Sequence, residues 1–131
     1  MWKHFARLFV SNSCYGCDNE LTIQESCICL DCLSQMEETN FHNTPDSNEL
    51  YYRLAGRVPL HAASGLFYFD KGGRLQKIIQ QLKYDSAPQL GIFLGRYYGQ
   101  ILKEDFALSS MDAILPVPLH YRRKQERGYN Q

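Results

Sequence analysis

Cys14-Tyr15-Gly16-Cys17 and Cys29-Leu30-Asp31-Cys32 are two Cys-x-x-Cys pairs separated by eleven residues, and their reading decides the first part of this 131-residue chain. A two-residue gap lets a tight turn aim both sulfurs at one metal ion, and four thiolates form a closed, tetrahedral set for structural zinc. Gly16 lies inside the first turn, where backbone freedom is useful. The gap between the pairs is shorter than the ~15–20 residues of the commonest pattern, so a short connecting loop is expected. A fifth cysteine, Cys27, could replace Cys29, but it stands four residues rather than two from Cys32. A disulfide framework, a redox pair and scattered thiols are the competing readings. An odd count without a secretion signal disfavours disulfides, redox motifs usually occur singly at a helix start, and the doubled motif disfavours scatter. The neighbouring large apolar residues, Leu21, Ile23, Ile28, Leu30 and Leu33, are too few for a core. Zinc, by contrast, can supply on the order of 10 kcal/mol to such a module.

Outward from the cysteines, charge divides the chain. Residues 1–50 carry Lys3 and Arg7 against eight acids, a formal −6, whereas residues 51–131 carry twelve cations against six acids, a formal +6. The net zero therefore conceals two units with different partners. The acidic half argues against phosphate binding by the cysteine module alone and favours a protein-facing or scaffolding role. Composition, 44% hydrophobic and 21% charged, excludes wholesale disorder, collagen and coiled coil. Met1–Arg7 is too polar for a signal peptide, and no apolar run approaches the ~20 residues of a membrane helix. A soluble, cytoplasmic protein is expected. The polar, turn-rich stretch Glu37–Asn48 reads as a linker, with His42 solvated in it, and places the domains at 1–48 and 49–131.

In the basic half, Ala62–Phe69 reads as a strand closed by the turn Asp70-Lys71-Gly72-Gly73. Leu75, Ile78, Ile79 and Leu82 fall at i, i+3, i+4, i+7 and predict an amphipathic helix. A second helix is predicted from about Pro88 to Lys103, its stripe being Leu90, Phe93, Leu94, Tyr97 and Ile101. Gly91, Gly95 and Gly99 recur along it, each costing about 1 kcal/mol against alanine, which predicts close backbone packing. The apolar run in Asp112–His120 reads as a buried strand whose prolines end the pairing. Beyond it, Arg122, Arg123, Lys124 and Arg127 crowd the exit, and Gly128 allows a turn that can face an anion. This is either a phosphate or pyrophosphate loop or a solvated basic turn. With Tyr121 and Tyr129 it also suits single-stranded nucleic acid.

Taken together, the double Cys-x-x-Cys, the Leu82-Lys83-Tyr84 step and Pro116-Val117-Pro118-Leu119-His120 leading to Arg122-Arg123 and Glu126-Arg127-Gly128-Tyr129-Asn130-Gln131 closely resemble the ComF family. The resemblance covers nearly the whole chain in order and is strongest over residues 112–131. It implies an α/β fold: an N-terminal zinc ribbon joined to the first part of a type I phosphoribosyltransferase domain with a Rossmann-like parallel sheet. By that resemblance Cys14, Cys17, Cys29 and Cys32 ligate zinc and Cys27 is a bystander. Ile114–Val117 is then the first strand. Arg122, Arg123, Arg127 and Gly128 form the substrate-binding loop for the pyrophosphate of phosphoribosyl pyrophosphate. Tyr121 stands where the family often has proline, and Tyr129 where it often has phenylalanine.

The family continues for about another hundred residues, with an Asp-Asp-x-x-Thr-Thr-Gly type loop that has no counterpart here. An N-terminal fragment without catalysis of its own is therefore expected. The full-length parent would bind phosphoribosyl pyrophosphate with Mg²⁺ and have a link to natural competence. A non-catalytic adaptor with a protein partner in the DNA-uptake machinery, or a binder of single-stranded nucleic acid, is the alternative.

Overall fold

A computed structural model of the chain describes residues 13–105 and 111–131. The polar opening Met1–Arg7 lies outside them. Helices are α1 (Leu30–Ser34), α2 (Glu49–Ala55), α3 (Arg74–Tyr84), α4 (Pro88–Asp105) and α5 (Tyr121–Arg127), with one 3₁₀ turn at Phe41–Asn43. Among the described residues 44% are helical and 4% are β-paired, so the expected α/β fold with a parallel sheet is not present. The β-paired residues belong to two isolated antiparallel bridges, Ser13 with Glu20 and Glu38 with Phe67.

The amphipathic pattern of residues 75–82 does form a helix, α3, with Ile78 and Leu82 buried. The proline-started pattern also holds, with α4 beginning at Pro88. The strands do not. Residues 66–68 meet Glu37 and Thr39 through two backbone bonds, Thr39 N–H to Leu66 O (3.0 Å) and Tyr68 N–H to Glu37 O (2.9 Å), an antiparallel contact too short to become a strand. Ile114, Leu115 and Val117, predicted as buried strand residues, are 83%, 87% and 85% exposed. A sheet strand is held only by a ladder to a neighbour. No such ladder runs along residues 114–117, and Pro116 and Pro118 have no N–H to donate.

The chain divides into two compact units, each discontinuous in sequence. Of the described residues, one contains those up to Met36 together with Phe69–Phe93 and Gln131; the other contains Glu37–Tyr68 and those of Leu94–Asn130. The first unit has the tighter core. Ile28, Met36, Ile78, Leu82, Ala87 and Leu90 are buried there together with Cys14, Cys27 and Cys32. Leu82 and Leu90 come from α3 and α4, whose close approach needs a small residue, since a Cβ on Gly91 would stand 3.2 Å from Leu82 Cδ1. Gly95 and Gly99 have open space around them, so close packing accounts for only one of the three helical glycines.

In the second unit the polar stretch Glu37–Asn48 has partners of its own. Asn48 is 5% exposed and caps α2 by accepting from Tyr51 N–H at 2.9 Å. Its amide also donates to the carbonyls of Thr44 (2.8 Å), Ala63 (2.7 Å) and Phe41 (3.3 Å), tying three backbone segments to one side chain. Phe41 meets Tyr68 edge-on with ring centroids 5.5 Å apart, and Phe67 stacks on Tyr97 at 6.4 Å. Tyr97 donates its phenol to Glu38 Oε1 at 2.6 Å. That carboxylate, with burial and its negative charge behind it, holds the Tyr97 phenol above its ordinary value.

Candidate metal centre

The first Cys-x-x-Cys is a turn closed by Asp18 N–H to Cys14 O at 2.9 Å, with Asp18 itself in the left-handed region at φ 64°. The second pair opens α1: Cys29 is the N-cap, and its Sγ accepts from Cys32 N–H at 3.4 Å. Glu25 reaches across the intervening loop. One of its oxygens accepts from Leu30 N–H at 2.7 Å, and the other from Thr22 N–H at 2.8 Å. The Thr22 and Leu30 amides hold the Glu25 carboxyl below its usual range. Tyr15 N–H donates to Cys27 O at 3.0 Å and brings the two cysteine segments side by side.

These contacts gather Cys14, Cys17, Cys29 and Cys32, whose sulfurs all lie within 4.8 Å of one another. Cys17 Sγ and Cys29 Sγ are 3.7 Å apart. That is far beyond a disulfide bond of about 2.05 Å. It matches the about 3.8 Å edge of a tetrahedron with zinc–sulfur bonds of about 2.3 Å. Cys14 and Cys32 are buried, and Cys17 and Cys29 are partly exposed. The donor set therefore fits a four-coordinate thiophilic ion, with no position left open for substrate.

The surroundings favour ionisation at Cys14 and oppose it at Cys29 and Cys32. Burial works against ionisation of Cys14, but the amides of Cys29 (3.2 Å), Gly16 (3.3 Å) and Cys17 together bring its pKa down to about 7. Burial pushes the Cys32 thiol up, and the neighbouring cysteines add to the rise. The Cys32 amide works to lower Cys29, but burial and the Cys14 and Cys17 thiols outweigh it. One ready thiolate beside thiols that resist ionisation is the condition a divalent cation relieves, because it stabilises all four charges at once.

Cys27 is not among the four. It is buried, its pKa raised by that burial, and its Sγ points to Gln89 O at 3.8 Å. Of the two candidates for the third position, Cys29 is the one whose sulfur groups with the other three.

The basic run is placed elsewhere and in another form. Arg122, Arg123 and Arg127, predicted on a loop, lie on α5, with Arg122 and Arg123 exposed. Gly128 ends that helix at φ 78° as its C-cap, and its N–H is taken up by Lys124 O at 2.8 Å. The basic residues favour helix over loop because six of the seven from Tyr121 to Arg127, all but Tyr121, are long, unbranched Arg, Lys, Gln and Glu side chains, good helix formers as a group. Asn130 reaches back to Val117 O at 2.8 Å.

Two residues around the cysteines carried no signal in sequence. Arg74 and Lys77, on α3, contact the first cysteine turn from 58 and 59 residues away. Their only prior mark was a position on the polar face of an amphipathic helix. Among the described residues no helix is long and apolar enough to cross a membrane. Compared with known proteins, the chain matches no family model, no curated protein and no solved structure at a significant level. The site defines the class directly: a small unit organised around four clustered cysteines that could hold a metal ion.

Proposed function

We propose that Cys14, Cys17, Cys29 and Cys32 hold one structural Zn²⁺, and that the chain serves as the zinc-stabilised adaptor part of a ComF-like protein linked to DNA uptake. The observation that carries the zinc reading is the mutual approach of the four sulfurs within 4.8 Å. When bound, zinc would supply cross-linking and charge neutralisation, not a reactive water, because four protein ligands fill a tetrahedral shell. The adaptor role is supported by the acidity of residues 1–50, which disfavours nucleic-acid phosphates and leaves a protein surface as the natural partner. Ile23, in the loop between the cysteine pairs, and Leu30, inside the second pair, are exposed and available for such a contact.

The purified full chain should carry one zinc, with four sulfur neighbours at about 2.3 Å by X-ray absorption. Serine at both Cys14 and Cys17 should remove the metal and unfold the unit. A folded, metal-free chain would sink the zinc assignment. For the adaptor role, the same double substitution in a naturally competent host should lower transformation frequency. Unchanged frequency would refute that role while leaving the zinc site standing.

A further inference from the structure

The first Cys-x-x-Cys turn is gripped from outside by α3. Arg74 Nη1 donates to Gly16 O at 3.4 Å, and Arg74 Nε donates to Gln35 Oε1 at 3.3 Å, just beyond α1. Lys77 Nζ pairs with Asp18 Oδ2 at 2.6 Å. Gly16 and Asp18 are neither ligands nor neutral bystanders. Gly16 donates its N–H to Cys14 Sγ, and Asp18 closes the turn onto Cys14 O. Each cation thus holds a residue that in turn holds Cys14. Both also line a cleft of about 330 Å³ beside the turn, shared with Gly16, Gln35, Asp70 and Gly73.

The charge at the centre gives these contacts a purpose. Four thiolates and one Zn²⁺ leave a formal charge of about −2, inside a segment that is already acidic. Asp18 adds another negative group directly on the turn. Uncompensated, that concentration of charge favours protonation of a sulfur and loss of the metal. Two cations brought in by a distant helix oppose it and also restrict opening of the turn.

We infer that Arg74 and Lys77 are positioning residues of the metal centre, holding the first cysteine turn closed and offsetting the negative charge of a four-thiolate zinc site. The inference rests on the zinc reading and goes beyond it. It makes α3 part of the metal site, so that zinc retention depends on residues about sixty positions from the cysteines they serve. Partners of metal ligands typically govern affinity by about 10- to 100-fold.

The test is the rate of zinc transfer from the full-length, zinc-loaded chain to the chromogenic chelator 4-(2-pyridylazo)resorcinol. Arg74→Gln with Lys77→Gln should release zinc on the order of tenfold faster than the unsubstituted chain. Lys83→Gln, which removes one charge from the same helix away from the turn, should release at the original rate. The charge-keeping pair Arg74→Lys with Lys77→Arg should restore slow release. The cobalt-substituted double variant should keep the absorption of a four-sulfur tetrahedral site, showing that the ligands are unchanged. If the double variant does not retain metal through purification, Lys77→Gln alone is read in the same assay. Release at the original rate from the glutamine variants overturns the inference while leaving the zinc site intact. Equal acceleration by Lys83→Gln overturns it too, by reducing the effect to overall charge. An unsubstituted chain that binds no zinc overturns the zinc reading itself.

Discussion

Gly16 offers the sharpest single test of the metal centre. A Cβ built on it would lie 2.7 Å from Cys32 Sγ, 3.2 Å from Cys32 Cβ and 3.6 Å from Cys14 Sγ. Comfortable non-bonded separation is about 3.5–4.0 Å, so the alanine variant must displace the Cys32 sulfur, or the turn itself, by on the order of 1 Å. Cys32 is fully buried at the start of a helix and has little room to retreat. Zinc–sulfur distances tolerate only about 0.2 Å, so the strain falls on the metal site. Forcing one extra methyl into a packed position costs about 1–3 kcal/mol, which corresponds to roughly 5- to 150-fold weaker zinc binding at 1.4 kcal/mol per decade. Competition against a chelator of known affinity measures the change, with circular dichroism on the same samples to follow the fold. Gly16→Ala with unaltered zinc affinity would refute the placement of Cys32 against the first turn, and with it the four-sulfur geometry.

Three further outcomes follow from particular contacts. Cys27→Ser should keep one zinc per chain by elemental analysis, because Cys27 faces Gln89 and not the other sulfurs; loss of the metal would mean that the ligand set is wrong. Asn48→Ala removes a cap and the donor to three carbonyls, and should destabilise by about 2–4 kcal/mol in thermal or urea unfolding; a loss below about 0.5 kcal/mol would show that water satisfies those carbonyls equally well. Zinc binding should release protons, since Cys29 and Cys32 are raised and Cys14 titrates near 7. Metal and protons compete for the same sulfurs, so affinity should strengthen as pH rises through that range and weaken as it falls. Calorimetry in buffers of different ionisation enthalpy counts the protons, and a pH-independent affinity between pH 6 and 8 would contradict a thiolate site.

The clustering of Cys14, Cys17, Cys29 and Cys32 was legible in the residues themselves, because a two-residue gap constrains where two sulfurs can point whatever surrounds them. The choice between Cys27 and Cys29 was only partly legible. It depends on which sulfur the start of α1 turns inward, and that is set by the Cys29 N-cap and by Tyr15 docking on Cys27 O. Helices α3 and α4 were readable from their apolar periodicity. The sheet expectation failed for a reason that periodicity cannot express. An apolar run such as Ile114–Val117 specifies a strand only if another segment supplies a ladder, and among the described residues none does.

What the sequence determined by itself, then, is local: two cysteine turns, two amphipathic helices and a basic run, each dictated by spacing within a dozen or so residues. The tertiary structure decided what those pieces do together. It folded Phe69–Phe93 in with the cysteine segment, so that Ile78, Leu82 and Leu90 complete a core that Ile28 and Met36 could not form alone. It also brought Arg74 and Lys77 to Gly16 and Asp18. Such contacts join residues some sixty positions apart, and no periodicity encodes them. They exist because burying the apolar face of α3 leaves its cationic edge against the first cysteine turn.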